Sequence, residues 1–156
     1  MARMIVRLAR KDDLAGFLEL AGQVEHWFGP MVDDAGFHAA VLRHIRAGTA
    51  LVARSAGAEV LGGMMFGAQP PAYRVNWLVV AEQARGHGIG RALTTDAIRR
   101  YVRCPGTLEV VTFGADHPGA AASGARAFYE HMGFDPAEAA APGPEGGSRQ
   151  VYRRRI

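Results

Sequence analysis

The pattern of hydrophobic and polar residues changes twice within the first fifty positions of the chain. Residues 4–9 alternate as in a short strand, and residues 14–24 then carry apolar side chains at the spacing of one helical face. The Asp12-Asp13 pair begins this helix and Gly29-Pro30 ends it. The same criteria predict the remaining elements: a helix from Asp33 or Asp34 to Gly48, a hairpin of strands at 50–54 and 59–66, a strand at 73–80, a helix at 90–103, a strand at 108–113, a helix at 120–132 closed by Gly133, and a strand at 149–156.

Two of these strands are expected to run parallel, because a helix separates 73–80 from 108–113. The segment 135–148 (DPAEAAAPGPEGGS) is rich in Pro, Gly and Ala, which predicts a mobile loop before the last strand. The pattern is therefore that of an α/β protein.

The composition indicates one globular domain over residues 1–156. The chain is 49% hydrophobic and 21% charged, close to the average of soluble proteins. A lone cysteine, Cys104, forms no internal disulfide, and the first ten residues lack an unbroken apolar signal segment. No apolar run approaches the length that spans a bilayer. We therefore expect a cytoplasmic protein with no membrane partner.

The basic residues behind the net charge of +3 are almost all arginines, since Lys11 is the only lysine among 18 basic residues. Arginine presents a planar fork of donors that suits phosphate and carboxylate groups. The basic run 149–155 (RQVYRRR) would divide its charges between the two faces of a strand, so no nucleic-acid partner is expected. The six histidines show no paired metal-ligand spacing, and no metal site is predicted.

The segment with the clearest chemistry is RGHGIGR, from Arg85 to Arg91, between the strand 73–80 and the helix 90–103. Glycines let the backbone turn so that N–H groups converge on a phosphate at the positive end of a helix. The spacing fails the dinucleotide fingerprint G-x-G-x-x-G/A, and a P-loop would need a Gly-Lys pair that the chain lacks. The loop fits R-x-x-G-x-G instead, as Arg85, Gly88 and Gly90.

This loop, with AFYEHMGF at 127–134 one strand and one helix later, resembles the GNAT superfamily of acyl-CoA-dependent N-acetyltransferases. The order of elements is similar over the whole chain. The resemblance implies a mixed, mostly antiparallel central sheet flanked by helices, in which the parallel fourth and fifth strands splay apart. It also implies acetyl-CoA as cosubstrate and direct transfer of its acetyl group, in a ternary complex, to a primary amine of a small molecule or peptide. Because homodimers are the most common oligomers of soluble proteins, a homodimer is expected.

The resemblance implies a role for individual residues. The main chain of the strand before the loop would pair with the pantetheine arm, and an N–H around Val79 or Val80 would stabilise the oxyanion. Tyr129 looks like the general acid that protonates the leaving thiolate. The residues implied to bind the cosubstrate are Leu78, Val79, Val80, Arg85, Gly86, His87, Gly88, Ile89, Gly90, Arg91, Ser123 and Phe128.

The chain departs from the family pattern in two places. Residues 72–80 (AYRVNWLVV) contain no carboxylate to accept a proton from the amine. Ala122 stands where many relatives carry an Asn whose amide contacts the pantetheine, and the hydroxyl of Ser123 would partly replace that contact. Glu25 is the favoured base, and the other candidates are His26, Glu109, Asp116 and His117. These departures leave open a non-catalytic acyl-CoA-binding module.

The large apolar residues beside Gly29-Pro30 have two interpretations. Trp27 and Phe28 either line an acceptor pocket or belong to the core. The identity of the acceptor depends on segments near 25–37 and 135–148, whose chemistry the sequence alone does not fix.

Overall fold

A seven-stranded sheet is the centre of the computed structural model, which describes residues 3–156. The strand order is β1-β2-β3-β4-β5-β7-β6, and only β4 and β5 run parallel. This confirms the predicted mixed, mostly antiparallel sheet. The strands are β1 (Met4–Leu8), β2 (Ala50–Ser55), β3 (Val60–Gln69), β4 (Ala72–Val80), β5 (Thr107–Phe113), β6 (Asp135–Ala140) and β7 (Arg149–Arg155).

Helices cover both faces of the sheet. They are α1 (Leu14–Gly22), α2 (Glu25–Phe28), α3 (Ala35–Ala47), α4 (Ile89–Tyr101), α5 (Pro118–Ser123) and α6 (Ala125–His131), and none in the described residues is long and apolar enough to cross a membrane. Two adjacent glycines of β3 show how closely the helices pack against the sheet. A Cβ at Gly62 would lie 2.9 Å from the side chain of Ile89 on α4, and a Cβ at Gly63 would lie 2.9 Å from Phe17 on α1. Because neighbouring strand residues face opposite ways, α1 and α4 lie on opposite faces.

The strands β2 and β3 are apolar over consecutive positions because both of their faces are covered. The largest fully buried hydrophobic side chains come from both layers of helices and from the strands between them: Phe17, Leu20, Leu51, Met64, Phe66, Leu93, Leu108, Phe134 and Tyr152.

The parallel pair β4 and β5 separates halfway along its length. Their register covers only residues 72–75 of β4 against 107–110 of β5. At the same level β3 pairs Met65 with Trp77 and Phe66 with Val75, which leaves Asn76 as the extra residue of a β-bulge. Beyond the bulge β4 stays paired with β3 as far as Val80. One edge of β4 is therefore released from β5.

Two predicted helices are each divided in the structure. The first ends at Gly22 and resumes as α2, and the side chain of Gln23 in the gap accepts the Glu82 N–H at 2.8 Å. This contact with a distant segment is a tertiary effect that local periodicity does not contain. The helix predicted at 120–132 breaks at Gly124, whose φ of 69° is left-handed.

The prediction of a loop over 135–148 is wrong for its first part. Residues Asp135–Ala140 form the edge strand β6, which pairs with β7 in a register that shifts between Pro136 and Ala139. Proline is tolerated in a strand at the edge of a sheet or beside a bulge. Pairing with β7 therefore overrides a composition that is unfavourable for a strand.

Candidate functional site

A cavity of about 460 Å³ opens where β4 and β5 diverge. Its wall includes residues from both faces of the sheet, with α2 on the side of α1 and with α6 on the side of α4. The end of β4 and the loop 85–91 line it between them. The cavity thus occupies the gap that the splayed strands leave in the sheet.

The loop before α4 presents a row of free backbone donors. Gly86 and Gly88 have φ values of 79° and 80°, and a Cβ at either would meet nothing within 4 Å. Within residues 3–156, the main-chain N–H groups from Gly86 to Arg91 donate no hydrogen bond, and the first bond of the helix runs from Ala92 N to Gly88 O at 3.0 Å. These donors lie at the positive end of a helix, where anions are stabilised.

Contacts within the cavity wall hold the loop in place. A Cβ at Gly90 would lie 3.1 Å from the ring of Phe128, so the lack of a side chain lets the first turn of α4 pack against α6. The Arg85 Nε donates to the Val80 carbonyl at 3.3 Å. Arg91 is exposed on the wall, whereas the side chain of His87 is exposed and lies off it.

The register of β4 identifies which main-chain groups face the gap. The Ala81 N–H donates to the Leu61 carbonyl at 2.8 Å and therefore points toward β3. Since main-chain groups alternate between the two edges of a strand, those of Val79 also face β3, and those of Leu78 and Val80 face the cavity. Of the two positions that the resemblance offered as oxyanion donor, the register favours Val80.

Tyr129 lies on α6 with 5% of its surface exposed, and it forms part of the cavity wall. Its ring is edge-on to Phe134 at 5.5 Å, and the Phe134 N–H donates to the Tyr129 carbonyl at 3.0 Å across a turn at Gly133, where φ is 88°. The hydroxyl has no hydrogen-bond partner among the described residues. Burial raises the pKa of this hydroxyl, so the phenol keeps its proton at neutral pH.

Ser123 reaches the cavity wall, but its hydroxyl is already engaged. The Oγ donates to the Gly119 carbonyl at 2.5 Å and accepts the Ala125 N–H at 3.2 Å, which joins α5 to α6 across Gly124. One acceptor position of the hydroxyl is left for a ligand. Ala122 lies outside the wall.

The structure places the favoured base, Glu25, off the cavity wall. Its Oε2 accepts the N–H groups of Met31 at 2.7 Å and Val32 at 3.0 Å. These two bonds hold the pKa of the Glu25 carboxyl below its usual value. The arrangement fixes the turn after α2 and makes the carboxylate a poor proton acceptor.

The other candidate bases also lie off the wall and have other contacts. Glu109 accepts from the Arg153 Nε at 3.2 Å, and Asp116 accepts from the Ser148 hydroxyl. The His117 Nδ1 accepts the Gly119 N–H at 2.8 Å. His26 is exposed, and its ring is 4.3 Å from that of Trp27.

Some residues of the cavity wall were not predicted from the sequence. Phe113, the last residue of β5, and His131 and Met132, at the end of α6, all line the cavity. Phe113 could have been predicted from its position at the carboxyl end of a parallel strand, because ligands bind beyond those ends. Trp27 and Phe28 line the same cavity and also pack against the hydrophobic core, so the two interpretations of these rings are compatible.

Comparison with known proteins agrees with this geometry. A family model described as an acetyltransferase (GNAT) domain matches residues 46–136. A comparison with curated protein sequences found no match.

Solved structures share the fold over nearly the whole chain. Ard1 from Thermoplasma volcanium has a TM-score of 0.75 at 16% identity, with 98% of this chain and 97% of that one covered. A ribosomal-protein-alanine N-acetyltransferase from Brucella melitensis has a TM-score of 0.74 at 22% identity, covering 97% and 99%. YncA from Salmonella typhimurium, a putative acetyltransferase solved with acetyl-CoA, has a TM-score of 0.73 at 18% identity, covering 97% and 93%.

The family match covers more than half of the chain, and the sheet, its splayed strands and the glycine loop agree with it. The chain therefore belongs to the GNAT family of acetyltransferases, whose cosubstrate is acetyl-CoA.

Proposed function

We propose that this domain transfers the acetyl group of acetyl-CoA directly to a primary amine, within a ternary complex and without a covalent enzyme intermediate. The observation that carries the proposal is the row of free N–H groups from Gly86 to Arg91 on the same cavity as the unpartnered hydroxyl of Tyr129. One group of atoms suits a pyrophosphate and the other suits a leaving thiolate.

The loop 85–91 would hold the pyrophosphate of the cosubstrate. Its N–H groups from Gly86 to Arg91 have no acceptor within residues 3–156, and the positions that a Cβ would take at Gly86 and Gly88 are open. Arg85 and Arg91 add charge-assisted contacts at either end of the loop. The side chain of His87 has no part in this, since its position contributes backbone alone.

The released edge of β4 would bind the pantetheine arm as an added strand. Main-chain groups of Leu78 and Val80 face the gap, and Ser123 and Phe128 lie on its wall. The N–H of Val80 would donate to the carbonyl oxygen of the thioester as negative charge develops on it.

Tyr129 would act as the general acid. The amine nitrogen forms its bond to the thioester carbon, the carbon–sulfur bond breaks, and the departing sulfur takes the phenolic proton. The phenolate is then reprotonated by the proton that the new amide nitrogen gives up, directly or through solvent. The phenol is protonated at neutral pH at its ordinary pKa, and burial raises that pKa further, so the acid is loaded before the thiolate forms.

Glu25 is not carried into this mechanism. Its carboxylate is held by the N–H groups of Met31 and Val32, and we propose that it positions the turn after α2. Glu25→Gln tests this assignment against the role of base, because glutamine keeps a side-chain acceptor for the two N–H groups and lacks the carboxylate.

The test combines calorimetric titration with coenzyme A and a turnover assay. In the assay, acetyl-CoA and a panel of primary amines are incubated with the protein, free thiol is measured, and the acetylated amine is identified by mass. We expect saturable binding and amine-dependent thiol release. Binding without release over the whole panel would make the protein an acyl-CoA-binding module, and absence of binding would overturn both functions.

A further inference from the structure

Three aromatic side chains form one side of the cavity, and we call them the aromatic wall: Trp27 and Phe28 on α2, and Phe113 at the end of β5. Phe28 is stacked on Phe113 with ring centres 4.9 Å apart, and Trp27 meets Phe113 edge-on at 6.2 Å. Phe113 is only 3% exposed. The wall is therefore a packed surface of aromatic carbon on the side of the sheet opposite α4.

The cavity has an equally definite electrostatic character. None of the residues that line it is an aspartate or glutamate, and its permanently charged side chains are Arg85 and Arg91. The carboxylates closest along the chain to the aromatic wall are engaged elsewhere, Glu25 with main-chain N–H groups and Asp116 with Ser148. Within the described residues, the lining therefore offers no carboxylate to pair with a second ammonium group.

A lining of this kind selects among amines. An acceptor with a second ammonium group would bring that charge into a cavity whose lining offers no carboxylate to pair with it, and burying an unpaired charge is unfavourable. An apolar or aromatic substituent would instead gain contact area on Phe28 and Phe113.

This inference rests on the proposed function: we propose that the acceptor is an amine with a single basic nitrogen and an aromatic or apolar substituent, and that it enters as the neutral free base. The same desolvation that disfavours a second charge disfavours the ammonium form of the reacting amine. The proton is then lost to bulk water before binding. This accounts for a cavity wall that carries no carboxylate base.

The first experiment compares matched amines under saturating acetyl-CoA. The pair is 2-phenylethylamine and the same molecule with an added aminomethyl group on the ring, with spermidine as a fully cationic acceptor. We expect kcat/KM to be at least about tenfold higher for 2-phenylethylamine. Equal or faster acetylation of the two polycations would overturn the proposed acceptor class and leave acetyl transfer itself intact. If no amine reacted, both the proposed function and this inference would fail.

A second experiment tests the aromatic wall with a matched pair of variants. Phe28→Ala is expected to raise KM for 2-phenylethylamine at least about fivefold while coenzyme A affinity stays unchanged. The control is Phe37→Ala, which removes a half-buried ring that packs on Trp77, 5.6 Å away, outside the cavity. Trp27 is left intact because Arg85 packs on it. An unchanged KM in Phe28→Ala, or an equal rise in the control, would contradict the inference.

The pH profile gives an independent readout. If the free base is the form that binds, the midpoint of kcat/KM against pH follows the pKa of the amine, and it moves down when 2-phenylethylamine is replaced by its less basic 2,2-difluoro analogue. A midpoint that stays fixed would assign the proton to the protein and contradict the inference. The groups that could then carry it are His131 and Tyr129 on the wall, and His26 and His117 beside the aromatic rings.

Discussion

The guanidinium of Arg85 lies over the ring of Trp27, with its Cζ 5.4 Å from the ring centre. The same side chain donates through Nε to the Val80 carbonyl at 3.3 Å. Arg85 thus joins three parts of the site: the glycine loop, the open end of β4 and the aromatic wall. A planar, delocalised cation is required for both contacts at once.

Arg85→Lys is therefore expected to weaken coenzyme A binding even though the charge is kept. A lysine ammonium does not reproduce the stacked, forked contact, and we expect affinity to fall about tenfold. Arg91→Lys is the comparison: the exposed side chain of Arg91 makes no hydrogen bond or ion pair within residues 3–156, so lysine keeps its charge and the affinity should fall much less. Calorimetric titration measures both, and equal affinities for the two variants would remove the special role of Arg85.

Substitution of Gly88 tests whether the loop binds the phosphates, and Gly48 provides a control with the same backbone geometry. Gly88 and Gly48 both have left-handed φ values, 80° and 71°, and a Cβ at either meets nothing within 4 Å. Replacement by valine should destabilise the fold at either position by about 1–3 kcal/mol. Only Gly88→Val should also weaken coenzyme A binding, by at least about tenfold, because the side chain crowds the phosphates. Equal affinities in the two variants would place the phosphates elsewhere.

Tyr129→Phe separates chemistry from binding. We expect kcat to fall about a hundredfold or more, with unchanged coenzyme A affinity and little change in stability, since the hydroxyl has no protein partner in residues 3–156. Tyr73→Phe is the control: this buried hydroxyl accepts the Arg103 N–H at 2.9 Å, so its loss should cost about 1 kcal/mol of stability and leave kcat unaltered. A Tyr129→Phe enzyme with normal turnover would refute the acid role.

The raised pKa of Tyr129 also constrains the alkaline limb of the pH profile. A phenol whose pKa lies above its ordinary value of about 10 keeps its proton between neutral pH and pH ~10. Loss of the acid should therefore cause no fall in kcat across that range. A kcat that declines with a midpoint near pH 8 would show that another group donates the proton.

Glu25→Gln distinguishes a base from a structural anchor. A glutamine side-chain oxygen can still accept the N–H groups of Met31 and Val32, so the turn should persist and kcat should change less than about threefold. Glu25→Ala removes both bonds and should loosen the turn beside the aromatic wall, raising KM for the amine. A large loss of kcat in Glu25→Gln alone would establish Glu25 as the base after all.

Local signals in the sequence predicted most strands and helices, and the reasons for the exceptions are physical. The break at Gly124 follows from one left-handed glycine, which the apolar spacing of 120–132 does not report. The strand β6 exists because β7 offers it a partner, and the division after Gly22 accompanies a bond between Gln23 and Glu82. Each exception depends on contacts or dihedral angles outside local periodicity.

The residues of the candidate site also fall into two groups, those that a local motif predicts and those that only tertiary packing brings together. The loop 85–91 is a contiguous motif with a local mechanism, so its residues could be named from the sequence. The surroundings of Glu25 depend on the turn at 31–32, and the aromatic wall depends on Phe113 arriving from another strand. Those relationships arise only from tertiary packing.

The most direct test of the account is a crystal structure of the protein with bound coenzyme A. The account predicts pyrophosphate oxygens within hydrogen-bond distance of the N–H groups between Gly86 and Arg91, and the thiol sulfur next to the Tyr129 hydroxyl. Coenzyme A bound in a different cleft, or with its sulfur remote from Tyr129, would contradict it.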